Sequence, residues 1–162
     1  MSSITPFLWF DKNAEQAINF YLSVFPNSKL ISMQRYPDGF TEGPMADMAG
    51  KVLTAVFELN GQQFMALDGG PVFTFNEAVS FYIPCKDQAE VDMYWEKLSA
   101  VPEAEQCGWL KDKYGVSWQV IPEQLETLLG DPDPAKAKAA TEAMLKMKKI
   151  VVADLQAAHD AA

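Results

Sequence analysis

The sequence predicts an α+β fold made of two βαβββ modules followed by a C-terminal helix. Three observations predict it. A strand followed by a capped amphipathic helix stands near the N-terminus. The same pattern returns with the two caps, Asn13 and Asp87, 74 residues apart (87 − 13). A proline-initiated helical stretch follows residue 131.

The elements can be justified in order. Thr5 to Asp11 is rich in large apolar residues and reads as a strand. Asn13, with Gln16 three residues on, reads as a helix N-cap with a capping box, because a side-chain oxygen there can accept from an unpaired backbone N–H. Ala14, Ala17, Ile18, Tyr21, Leu22 and Phe25 make one apolar helical face, and Pro26 ends it. Lys29 to Tyr36 reads as a second strand. Residues 37–50, with Gly39, Gly43, Pro44 and Gly50, read as a long loop, either functional or a plain excursion. Val52 to Leu59 alternates, Asn60-Gly61 is a hairpin signal, and Gln63 to Leu67 returns. Asp68 reads as a turn residue opening the linker Asp68-Gly69-Gly70-Pro71.

The pattern then restarts. Val79 to Cys85 is a strand, and Asp87 with Glu90 is a second capping box. Val91, Tyr94, Trp95 and Leu98 form a second helical stripe. The 74-residue offset pairs Ala17 with Val91, Phe20 with Tyr94 and Tyr21 with Trp95. A weak strand is expected near Pro102 to Gln106. Cys107 to Asp112 and Val116 to Ile121 are two further strands joined at Lys113-Tyr114-Gly115. In the tail, Asp133 caps a helix that Pro134 opens. Ala140, Met144, Met147, Val151 and Leu155 continue it at helical spacing, and the last residues, with the only histidine, His159, are expected to fray.

A chain of 162 residues suits one domain. The paired modules are assigned to residues 1–130, with halves of about 1–75 and 76–122, and residues 131–162 to a helix packed on the same domain. The net charge of −9 (13 − 22) disfavours nucleic acid and anionic membranes as partners. No apolar run reaches the roughly 18–20 residues that span a bilayer, and the first residues hold no basic leader, so a cytoplasmic protein is expected. Cys85 and Cys107 stand outside any CxxC motif and are expected to be reduced thiols.

The strings ITPFLWFDKNAEQAINFYLSVFPNSKL, FELNGQQFMALDGGPVFTFNEAVSFYIPCKDQ, YWEKL and QCGWLKDKYGVSWQVIP resemble the PhnB-like family. So does the tail segment DPDPAKAKAATEAMLKMKKI. This branch of the vicinal oxygen chelate (glyoxalase/bleomycin resistance/dioxygenase) superfamily often carries the label demethylubiquinone methyltransferase domain. The resemblance implies a curved sheet of the glyoxalase/bleomycin-resistance type, in which paired modules form a cup around a pocket. Metal-dependent relatives place ligands seven residues before each helix cap and four after each turn glycine. Those positions here are Pro6, Ser80, Met65 and Gln119. None suits a hard divalent cation, and no histidine lies in either module, so no metal and no cofactor are expected. Methyl transfer also lacks support, because Gly69-Gly70 precedes a proline and a strand-like stretch rather than a helix N-terminus.

Alternation assigns Pro6, Leu8 and Phe10, Met65 and Leu67, Ser80, Tyr82 and Pro84, and Ser117, Gln119 and Ile121 to the inside of the cup. The candidate ligand-binding residues are Gln119, Ser80, Tyr82, Met65, Leu8 and Trp109. Each has a second reading. The apolar ones can simply fill the cup. Gln119 can orient a ligand or bond Ser80 or Tyr82 structurally, and Trp109 can stack on a ligand or plug the cup. Cys107 beside Gly108 can be a nucleophile, but no histidine base is near it in sequence. The expected function is metal-independent binding of a small, partly apolar organic molecule of unknown identity. The alternatives are a metal-free enzyme acting on such a molecule and a structural, dimerising protein with a filled cup. A homodimer is expected from open sheet edges and the Met-rich tail.

Overall fold

The computed structural model describes residues 4–162, and the chain divides into two compact units, Met1–Phe75 and Asn76–Ala162. The architecture is mixed α+β, with one small sheet in each unit and five helices among the described residues. No described helix is long and apolar enough to cross a membrane.

The first unit is a complete βαβββ module. It runs β1 (Phe7–Phe10), α1 (Ala14–Val24), β2 (Ser28–Arg35), β3 (Val52–Leu59) and β4 (Gln62–Asp68). The sheet order is β1-β4-β3-β2, parallel between β1 and β4 and antiparallel elsewhere. Asn60 and Gly61 turn the β3–β4 hairpin with φ of 48° and 84°, the paired left-handed geometry the dipeptide signals. α1 lies against β2, β3 and β4 and buries Ala14, Ala17, Ile18, Tyr21 and Val24. Leu8, Phe10, Phe57, Phe64 and Ala66 are buried in the same unit, with the cross-strand rings of Phe57 and Phe64 stacked at 5.6 Å.

The helix cap differs from expectation. Asn13 makes no side-chain capping bond. Asp68, read from sequence as a turn residue, is 1% exposed at the end of β4 and does the work instead. Its Oδ1 accepts from Ala14 N at 2.8 Å and its Oδ2 from Val52 N at 2.9 Å. A carboxylate has two acceptor oxygens and a full charge to set against the positive end of the helix, which a neutral amide lacks.

The second unit repeats the plan in shortened form. β5 (Ser80–Cys85), α2 (Gln88–Leu98), β6 (Trp109–Lys111) and β7 (Ser117–Pro122) give the order β5-β7-β6, with β5 parallel to β7. α2 and α1 are both 11 residues long and begin 74 residues apart (88 − 14), as the repeat predicted. Asp87 caps the helix by accepting from Glu90 N at 2.9 Å, while the Glu90 carboxylate reaches one residue past the cap to accept from Lys86 N, a shifted form of the expected box. The weak strand is replaced by a 3₁₀ turn, Pro102–Ala104, and a single bridge between Gln106 and Trp109. Cys107 and Gly108 turn that bridge with φ of 49° and 86°.

Beyond β7 the chain forms three helices where one was expected: α3 (Glu123–Leu129), α4 (Pro134–Met144) and α5 (Val152–Asp160). The helical spacing across residues 145–151 is overridden by tertiary bonds. Met147 O accepts from Cys107 N and Lys148 O from Gly108 N, so these carbonyls serve the sheet edge rather than a helix. Gln88 ties the start of α5 down, donating to Ile150 O and accepting from Val152 N. Ile121, Leu125, Leu128, Ala140, Ile150 and Leu155 form one core cluster, and Met144 and Met147 pack on it.

The C-terminus is held by His159, against the expected fraying. His159 is 8% exposed, with Nε2 2.8 Å from Asp131 and Nδ1 3.0 Å from Asp160. The hydrogen bonds to Asp160 and Asp131 raise its pKa, and both carboxylates are lowered. A raised imidazole stabilises the fold fully below its ordinary value of about 6.5 and loses that contribution as pH climbs through the folded value. Lowered carboxylates contribute above about 3.9 and lose it as pH falls through theirs. The stability difference between the wild type and His159→Gln should therefore peak in mildly acidic solution and shrink above neutrality. Melting curves across that range would reject the clamp if the difference stayed constant.

Candidate functional site

In the second unit, strand alternation separates two faces. Ile83, Cys85, Leu110, Trp118 and Val120 are buried on the α2 side. Burial pushes the Cys85 thiol up to about 12, with the nearby Glu90 charge adding to it, so this cysteine is core and not a nucleophile. The opposite face carries Ser80, Tyr82, Gln119 and Trp109. Registration aligns three of them: Tyr82 pairs with Gln119, and Gln119 with Trp109, making one row across β5, β7 and β6.

This row floors a cavity of about 280 Å³. Its walls are Leu125, Glu126 and Leu129 of α3 and Met144 of α4, with Cys107 and Ile121 completing it. Gln119 Nε2 donates to Ser80 Oγ at 2.9 Å. Its carbonyl oxygen accepts no hydrogen bond among the described residues. The Tyr82 hydroxyl donates to Glu126 Oε1 at 3.3 Å. Partial burial, then the Glu126 charge, raise the Tyr82 pKa and keep the phenol protonated. Gly108 is needed at the cavity's edge, where a Cβ would lie 2.5 Å from Ile121 Cδ1 at a φ of 86°.

Four of the six predicted residues, Gln119, Ser80, Tyr82 and Trp109, therefore meet on one sheet face. Met65 and Leu8 lie in the first unit and do not share a face with each other. Leu8 pairs with Ala66, and Phe7 pairs with Met65. Leu8 is buried on the side of Asp68 and α1, as is Phe10, and neither joins Met65 and Leu67. The reason is a connection one residue longer. Three residues, 11–13, link β1 to α1, whereas two, 86–87, link β5 to α2. Counting back from the cap thus lands on the opposite face in the first module, and Phe7, not Pro6, stands beside Met65.

Neither half of the relatives' metal set fits a divalent cation here. Ser80 and Gln119 are bonded to each other, and Met65 lies beside a phenylalanine. Among the described residues no group of three His, Cys, Asp or Glu side chains is placed to hold a metal ion. Gly69 has a packing role, since a Cβ there would lie 2.2 Å from the Trp9 ring. No helix follows the glycine pair before β5.

The walls on α3 and α4 were missed by sequence reasoning, apart from Met144, which was placed on a dimer surface. The signal was available for α3, where Leu125, Leu128 and Leu129 recur at helical spacing.

Comparison with known proteins agrees with this architecture. The family model described as 3-demethylubiquinone-9 3-methyltransferase matches residues 2–121. A Bacillus cereus PhnB protein, described as a 3-demethylubiquinone-9 3-methyltransferase, is 38% identical at a TM-score of 0.62, covering 75% of this chain and 99% of its own. Protein PA1353 from Pseudomonas aeruginosa is 23% identical at a TM-score of 0.58, covering 76% and 98%. A variant of the fosfomycin resistance protein FosX from Listeria monocytogenes, complexed with Mn(II) and 1S,2S-dihydroxypropylphosphonic acid, is 15% identical at a TM-score of 0.50, covering 78% and 98%. No curated protein matches the chain. With its βαβββ unit, its shortened repeat and these matches, the chain belongs to the PhnB-like 3-demethylubiquinone-9 3-methyltransferase family and shares the fold of the Bacillus cereus PhnB protein.

Proposed function

We propose that the chain binds a small, partly apolar organic molecule, without a metal, on the open face of the β5-β7-β6 sheet. The observation that carries this reading is the row Tyr82–Gln119–Trp109 under a cavity of about 280 Å³. Mostly apolar walls with a few convergent polar groups are the general form of a small-ligand site. The Mn(II) chemistry of the fosfomycin resistance neighbour is not carried over, because the donor set does not fit. Methyl transfer, named in the family description, is likewise not adopted, because Gly69 packs against Trp9 and no helix N-terminus follows the glycine pair.

The test is native mass spectrometry of the purified protein for a co-purified small molecule, followed by Gln119→Ala. Losing one neutral hydrogen bond to that molecule should weaken binding by about 0.5–1.5 kcal/mol, undiminished by a chelator. Melting should fall only slightly, because the Ser80–Gln119 pair is half-buried. Unchanged affinity with a clearly lowered melting point would reject the role given to Gln119.

A further inference from the structure

The geometry points to an organic ammonium cation with an apolar body as the class of ligand for this cavity. The inference rests on the binding reading above and deepens it.

The nine lining residues include no Lys, Arg or His, and one carboxylate, Glu126. Lys111, the basic residue on that face of the β5-β7-β6 sheet, is engaged in an ion pair with Glu77. An anionic ligand such as a phosphonate would meet no positive charge there. It would meet a carboxylate instead, on a chain of net charge −9.

The floor favours a cation independently. Tyr82 and Trp109 flank Gln119 on adjacent strands, and strands are spaced by about 4.8 Å, so the two aromatic residues stand about 10 Å apart. Measured from the backbone, a group seated over Gln119 stands about 5 Å from each residue, so both aromatic side chains are near enough to meet a cation there. The Gln119 amide donates to Ser80, and its carbonyl oxygen is the part left to accept. Glu126 closes the Tyr82 end, accepting a hydrogen bond from the phenol on one oxygen. Two aromatic side chains, an amide oxygen and a carboxylate all favour a positively charged donor. Leu125, Leu129 and Met144 supply the surface for its apolar body.

The probes are benzylamine, benzyl alcohol and benzylphosphonate, which share a body and differ in charge. Binding is followed by the indole N–H resonance of Trp109, identified by its loss in Trp109→Phe. Benzylamine is expected to bind about tenfold more tightly than benzyl alcohol. Glu126→Gln, which keeps an acceptor for Tyr82, should remove about that factor for benzylamine and leave benzyl alcohol unchanged. Glu123→Gln, an exposed substitution on the same helix with the same loss of charge, should leave both unchanged. Equal binding of amine and alcohol, a preference for the phosphonate, or an equal effect of Glu123→Gln would overturn the cation while leaving the cavity a binding site. No Trp109 shift with any probe at tens of millimolar would overturn both.

Discussion

Trp118→Ala is expected to destabilise the chain by about 3–5 kcal/mol, the range for emptying a buried aromatic site. Trp118 is 2% exposed on the α2 side of β7, with its ring 5.4 Å from that of Phe81. Its indole Nε1 donates to Asp112 Oδ2 at 2.8 Å. Asp112 is itself buried and spends its other oxygen on Tyr114 N and Val116 N, which shapes the turn between β6 and β7. Alanine would therefore leave both a void and a buried oxygen short of a donor. Trp118→Phe separates the two terms. It keeps most of the packing and loses the bond, which to a charged acceptor contributes about 1.5–3 kcal/mol. Urea unfolding of the three proteins gives both numbers. A cost for Trp118→Ala below that of Trp118→Phe would show that the void collapses and that the packing argument is wrong. The neighbouring residue provides contrast, since Gln119 points to the other face and its removal should hardly move the midpoint.

Asp68→Ala should cost about 2–5 kcal/mol. The loss of a helix cap accounts for about 1–2 of that, and the second abandoned N–H for about 1–3. Both donors, Ala14 N and Val52 N, are buried with Asp68. Asp68→Asn should fall between wild type and alanine, because one amide oxygen can serve only one of the two sites while its NH₂ faces a donor at the other. Hydrogen exchange adds a local readout. The Ala14 and Val52 amides should both lose protection in Asp68→Ala, and an effect on only one would contradict the shared cap.

Asp68 also marks the boundary of what the sequence makes legible. Patterns confined to one segment are read well: the Asn60-Gly61 hairpin, the Asp87 helix cap and the matched 11-residue helices all form. The cap of α1 comes from 54 residues away, so no local pattern could name it, and Asn13 stood in the favoured position. The face of Leu8 failed for a related reason. Alternation says which residues of a strand go together, but not which set meets a given set on the next strand. One extra residue in a connection reverses the answer. In the second module the counted positions fell on the right face, and Ser80, Tyr82, Gln119 and Trp109 came together. The break between α4 and α5 escaped because the carbonyls of Met147 and Lys148 are claimed by Cys107 and Gly108, some forty positions earlier in the chain.

The cavity is built from two stretches of the chain. Its floor lies within residues 2–121, the span the family model matches, while Leu125, Glu126, Leu129 and Met144 come from beyond it. The wall can therefore be altered without touching the span that the family model matches. Residues 122–162 act as a mould set over that base, and a change confined to them would reshape the cavity alone.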